Sequence, residues 1–305
     1  MVTMNNLNIS KFQLIELKDR ELFARKLSIL NRQSCECSFN NLFFWSDVYD
    51  ERFVEFEERL IVASFNEKSM MFPIGEYFEP EELATITREL REQSQFDGSV
   101  YDAPRDYVNK FATVLPSFFK IETSLDYDDY IHTTESLTKL SGKKLNKKRN
   151  LISQFRSEYP NAKSVPTTVE DIPAIHKFAS KLNEAAEGGT TTLNDEFKAQ
   201  QKAINHLDAP NTEGLLLLSD KEEIIAFSIF GPINDDTFDI HFEKASREFK
   251  GAAQVINQAT AELLFQRGIT YINREQDLGI AGLRQAKNSY KPEYMLKRYR
   301  LKLLT

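Results

Sequence analysis

Between residues 80 and 90 the apolar positions Leu83, Ile86 and Leu90 recur three and four apart. That spacing predicts a helix, and Pro80, Glu81 and Glu82 suit its first turn. Before it, "RLIVASF" and "SMMFPIG" are short apolar runs separated by polar residues, which predicts a hairpin. "GSVYDAP" after it reads as a further strand. The stretch "SFNNLFFWSDVYD" gathers Phe39, Phe43, Phe44, Trp45 and Tyr49, a density that fits a core better than a ligand site.

The later part of the chain has the same mixture. "YIHTT" reads as a strand, and "LTKLSGKKLNKKRNLISQF" follows helical spacing through Leu137, Leu140, Leu151 and Phe155. "AKSVPTT" is a short strand. A helix follows, with Thr168 and Asp171 at capping-box spacing and Ile172, Ile175, Ala179 and Leu182 on one face. A loop is expected at 188–195, then a helix through Gln200 to Leu207. Three strand patterns come next: "TEGLLLLSD", "EEIIAFSIFG" and "DDTFDIHFEKA". The helix "AAQVINQATAELLFQRG", the strand "ITYIN", a short helix and the terminal strand "KRYRLKLL" complete the order. Mixed helices and strands in two successive groups predict an α/β (α+β) protein, with domains at 1–125 and 126–305.

The length of 305 residues agrees with two domains of ordinary size. A net charge of -7 excludes a chain that coats nucleic acid along its whole surface, so any basic patch must be local. The apolar runs are too short to span a bilayer, so no stable membrane insertion is expected. The N-terminus lacks a basic-then-apolar signal pattern, which points to the cytoplasm. Cys35 and Cys37, two apart, are too close for an unstrained disulfide and read as reduced thiols.

Three places carry candidate chemistry. At the turn "REFKGAAQ", Arg247, Lys250, Gly251, Ala252, Ala253 and Gln254 join a strand to a helix, where free amides can hold a phosphate. An ordinary tight turn explains the same residues. In "TFDIHFEKA", alternation puts Phe238, Ile240 and Phe242 on one sheet face and Asp239, His241 and Glu243 on the other. That polar face is either solvated or holds a general base, His241 or Glu243. No second cluster supports those three as metal ligands, so no metal is expected. In the lysine-rich segment, Lys144 and Lys148 fall on the apolar seam, so they either snorkel or point into a cleft beside Arg149. Finally, "NREQDLGIAGLRQAKNSYKP" follows a strand at once with Asn273, Arg274, Glu275 and Asp277, then Gly279, Gly282, Lys287 and Tyr290. An open α/β sheet places its ligand at such a strand end.

The blocks "LSGKKLNKKRNLISQF", "IHFEKA" with "FKGAAQVINQ", and "INREQDLGIAGLRQAKNSYKP" resemble the phosphatidylglycerol lysyltransferase C-terminal domain and its soluble relatives. The resemblance covers about residues 20 to 300. It implies two tandem GNAT-like (acyl-CoA N-acyltransferase) domains, each a mixed central sheet flanked by helices. It further implies an acyl- or aminoacyltransferase that moves an acyl group from acyl-CoA or aminoacyl-tRNA to an amine or hydroxyl. Those donors are substrates, and no tightly bound cofactor is implied. The acceptor would be a small or lipid-like molecule. His241 and Glu243 become candidate bases and Tyr290 the acid that protonates the leaving group. The turn 247–254 becomes the donor-phosphate site. Lys144, Lys148, Arg149, Asn273, Arg274, Glu275, Asp277 and Lys287 become substrate-binding residues. The alternative is a non-catalytic module that binds tRNA or a nucleotide through 143–149.

Overall fold

A computed structural model describes residues 7–185 and 191–304. It resolves into two compact units, the first running to Asp129 and resuming at Leu296, the second Tyr130–Met295. The first sheet contains β1 (Gln13–Leu14), β2 (Glu51–Phe56), β3 (Arg59–Ser64), β4 (Ser69–Met71), β5 (Ser99–Pro104) and β6 (Phe119–Glu122). The second contains β7 (Asp129–Thr133), β8 (Lys163–Pro166), β9 (Glu213–Leu218), β10 (Ile224–Pro232), β11 (Thr237–Ala245), β12 (Tyr271–Asn273) and β13 (Tyr294–Leu296). The last strand, β14 (Arg298–Leu303), belongs to the first sheet, between β5 and β6. The sequence places it with residues 126–305. Pattern shows only that a strand is half-buried; hydrogen-bonded pairing decides which sheet receives it.

The two sheets share one plan. The first runs β1-β2-β3-β4-β5-β14-β6, and the second, read from its far edge, β8-β9-β10-β11-β12-β7-β13. In each, the fourth and fifth strands are parallel, and each of these two pairs antiparallel with its other neighbour. The sixth position is filled from the chain's end in one sheet and from the start of the second half in the other.

Helices cover these sheets: α1 (Arg20–Leu27), α2 (Phe39–Tyr49), α3 (Pro80–Gln93) and α4 (Arg105–Lys110) in the first unit. The second has α5 (Thr134–Lys139), α6 (Asn146–Glu158), α7 (Ile172–Glu184), α8 (Thr191–Asn205), α9 (Ala252–Gln266) and α10 (Ala281–Asn288). Phe39, Phe43 and Phe44 of α2 are buried, as a core cluster requires, while Trp45 and Tyr49 stack on each other at its margin. α8 begins at Thr191, inside the loop expected at 188–195; the remainder of that loop, 188–190, lies outside the described residues.

The long lysine-rich helix is two helices. Leu140 adopts a left-handed conformation, φ 46°, that ends α5, and Gly142 at φ 85° turns the chain into a short 3-10 turn before α6. Leu145, not Lys144, then fills the buried seam, and Lys144 is exposed. The Arg149 guanidinium returns to bond the carbonyls of Leu140 and Gly142, covering orphan acceptors at the end of α5.

Candidate active site

The site is built where the parallel strands β11 and β12 part. They pair only over Thr237–Asp239 and Tyr271–Asn273, yet β11 continues to Ala245. A bulge then changes what β11 presents. Ile229 of β10 faces Phe242 and Phe230 faces Ile240, so His241 is the extra residue. Beyond it the alternation is reversed. Glu243 accepts from Asn257 Nδ2 on α9 at 3.1 Å, whereas Lys244 pairs with Glu196 on α8 at 2.7 Å. Glu243 therefore shares the α9 face with Phe238 and Ile240, which pack in the α9 core. The expectation that Asp239, His241 and Glu243 share one face is corrected by this bulge.

Arg274, the first residue after β12, reaches across the gap and holds Glu243 at 2.9 Å. Tyr290, just past α10, is buried beneath this pair. Its ring has the Arg274 guanidinium 5.0 Å from its centroid and the Lys148 amine at 4.1 Å. Burial pushes the Tyr290 hydroxyl up to about 12, against the pull of Arg274 and a hydrogen bond from Gln254. Burial also lowers the Lys148 amine, with Arg274 adding to the effect and Glu243 opposing it.

Several polar atoms here are buried with no hydrogen-bond partner among the described residues. They are Ser228 Oγ, directly across the ladder from Glu243, Asn257 Oδ1 and Arg274 Nη1. Both ring nitrogens of fully buried His132, on β7, are in the same state. Burial, then Arg274 and Lys287, holds the His132 imidazole down to about 3, so it is neutral. Buried groups of this kind are normally satisfied. Their concentration near one ion pair makes this the candidate site for a polar ligand.

Other expected site residues have structural partners. The Asp277 carboxylate binds Arg284 Nε and Nη2 at 2.9 and 2.7 Å, Tyr130 Oη at 2.6 Å and the Gly279 amide at 2.9 Å. Burial would raise this carboxyl, but those bonds outweigh it and bring it to about 2. Asn273 Oδ1 accepts the Glu275 amide at 2.7 Å, and Lys287 Nζ donates to the Gln276 carbonyl at 2.6 Å. Gly279 has φ 74°, which explains that glycine; Gly282 lies inside α10 with open space beside it.

Gly251 caps α9 with φ 98°, and a Cβ there would meet the Leu151 carbonyl oxygen at 2.6 Å. Close packing against α6 thus accounts for the glycine. The amides of Ala252, Gln254 and Val255 already bond to the Phe249 and Gly251 carbonyls. Ala252 is buried and Gln254 turns toward Tyr290, while Arg247, Lys250 and Ala253 are exposed. Sequence reasoning missed Ser228, Asn257 and His132. Ser228 interrupts an apolar strand and Asn257 the apolar stripe of α9, and such interruptions are the signal that could have found them.

The first unit has the same strand parting, between β4 and β5, but fills it differently. Phe72 follows β4 and Tyr107 lies on α4 after β5; their rings meet at 4.7 Å, flanked by Tyr77 and Phe111. Aromatic rings fill there much of the space that the Glu243–Arg274 pair takes in the second unit.

The profile of the family described as phosphatidylglycerol lysyltransferase, C-terminal, matches residues 27–302. The chain belongs to this family. A conserved protein of unknown function from Bacteroides thetaiotaomicron is 30% identical, with 96% of this chain and 99% of that chain covered and a TM-score of 0.86. L-PGS from Bacillus licheniformis is 16% identical and shares the fold, with 95% and 92% covered and a TM-score of 0.65. An uncharacterised protein of Mycoplasmoides gallisepticum is 26% identical over 178 residues, 58% of this chain and 56% of that protein's length. Each unit is a mixed sheet flanked by helices, the fold this chain shares with L-PGS, and the family's description is that of the C-terminal part of a lysyltransferase. No described helix is long and apolar enough to cross a membrane.

Proposed function

We propose that the second unit transfers an activated acyl group, from acyl-CoA or aminoacyl-tRNA, to an amine or hydroxyl of a small or lipid-like acceptor. The observation that carries this reading is the Glu243–Arg274 pair across the parted strands, ringed by orphan polar atoms. The acceptor's nucleophilic atom attacks the donor carbonyl, and Glu243 takes its proton. Arg274 Nη1, aimed by the bond its other nitrogen makes to Glu243, donates to the oxygen that gains charge. A preorganised donor of this kind is commonly the largest contribution to such a reaction. Tyr290, protonated at neutral pH, gives a proton to the leaving thiolate or alkoxide. The Lys148 amine lies beside that ring, 4.1 Å from its centroid.

Donor phosphate is assigned to exposed Arg247 and Lys250 at the start of α9. His241, on the other face of β11, receives no part in this step. Two buried thiols, Cys35 and Cys37, agree with a reducing, cytoplasmic setting. The exposed Lys143, Lys144 and Lys147 keep the alternative alive, a non-catalytic tRNA- or nucleotide-binding surface. The test is incubation with acetyl-CoA, longer acyl-CoAs, and charged or uncharged tRNA, with an amine acceptor. Release of free thiol or deacylated tRNA that depends on Glu243 and Tyr290 supports transfer. Binding of uncharged tRNA without turnover of any donor favours the alternative and overturns the enzyme reading.

A further inference from the structure

The bulge that turns Glu243 toward α9 leaves Asp239 and His241 on the opposite side of β11, and a third group joins them. Glu275 lies two residues past the end of β12. Its amide is held by Asn273 Oδ1 at 2.7 Å and its carbonyl by the Tyr130 amide at 3.2 Å, with φ at 54°. The result is that one carboxylate oxygen of Asp239, one ring nitrogen of His241 and one carboxylate oxygen of Glu275 all lie within 4.8 Å of one another. Asp239 is fully buried, His241 is 5% exposed and Glu275 is half-buried.

We propose that Asp239, His241 and Glu275 bind one divalent cation of the zinc or manganese type. Two carboxylates gathered in buried surroundings repel each other, and a shared cation relieves both. The separation of the first two ligands fits coordination. Asp239 Oδ2 and His241 Nδ1 are 3.4 Å apart, longer than an ordinary N–H···O hydrogen bond. An edge of ~3.4 Å is what a tetrahedron with metal–ligand bonds of ~2.1 Å requires. One imidazole and two carboxylates, without thiolate, suit borderline and hard divalent ions rather than soft ones. Strand alternation alone does not produce this set. Alternation brings Asp239 and His241 to one side of β11, and the left-handed turn at Glu275 adds the third ligand.

The bound ion would tie the residue after Arg274 to β11. It would therefore hold the two strands at a fixed separation on the face away from Glu243. This inference does not rest on the acyl-transfer reading, and its test involves no acyl donor.

The full chain, without an affinity tag, is stripped with chelator and titrated with ZnCl2 or MnCl2. Bound metal is counted by elemental mass spectrometry after gel filtration, and melting temperature is followed in parallel. One ion per chain and a raised melting temperature are expected. Glu275→Gln, nearly isosteric and only half-buried, should weaken binding by at least the ~10–100-fold that even outer-shell changes cost. His241→Ala should do the same. Failure of the wild-type chain to retain a stoichiometric ion overturns the proposal. So does undiminished affinity in folded Glu275→Gln, because the ion would then lie elsewhere.

Discussion

Glu243 and Arg274 meet at 2.9 Å across the gap where β11 and β12 no longer pair, and each side chain is only 13% exposed. Neither residue would reach the other on regularly alternating, fully paired strands. The pair is a consequence of two irregularities, the bulge at His241 and the early end of β12.

Breaking this pair leaves a largely desolvated charge. Arg274→Met and Glu243→Gln should each destabilise the protein by about 2–3 kcal/mol in urea unfolding. The double variant should cost less than the sum, by about 1 kcal/mol or more. Strict additivity would show that the two side chains do not interact in solution.

Tyr290→Phe keeps the buried ring and its two neighbouring cations. Stability should fall by no more than about 1 kcal/mol, the worth of the Gln254 bond. Once a donor is found, kcat should drop by about 100-fold with KM nearly constant, as expected for loss of a proton donor. Unchanged kcat would remove Tyr290 from the chemistry.

Asp277 and His132 make the fold acid-sensitive in two windows. Asp277, about 2 folded against 3.8 in an ordinary aspartate, contributes stability above pH 4 that is lost as pH falls toward 2. The contribution is about 2 kcal/mol. His132 is about 3 folded against 6.5 unfolded, so the unfolded chain binds the extra proton between those values. Stability should therefore rise with pH from 3 to 6.5. Chemical unfolding at a series of pH values should show the 4–6.5 slope reduced in His132→Leu and the 2–4 slope reduced in Asp277→Asn.

Gly251→Ala should destabilise by about 2–4 kcal/mol, because strain at positive φ adds to overpacking. The new Cβ meets the Leu151 carbonyl oxygen at 2.6 Å and Phe155 Cβ at 2.9 Å. Urea or thermal unfolding measures the loss. A near-neutral effect would mean that α6 can withdraw from the turn.

Much of this protein was legible from its sequence. Helix periods at Leu83, Ile86 and Leu90, the capping box at Thr168 and Asp171, and the apolar runs of β9 to β11 depend on neighbours in the chain. They appear where they were expected. The family blocks also placed Glu243, Arg274, Tyr290 and Lys148 in one region, and those four do come together. What the sequence could not decide is set by pairing between distant segments. The β14 strand joins the first sheet because its hydrogen-bonding partners are β5 and β6, 170 or more residues earlier. A strand's period of two assigns its faces only while the ladder is regular, and one extra residue at His241 exchanged them. That single insertion sent Glu243 to Arg274 and left His241 with Asp239 and Glu275. Local chemistry therefore supplied the side chains, and the register of the folded sheet divided them between two sites.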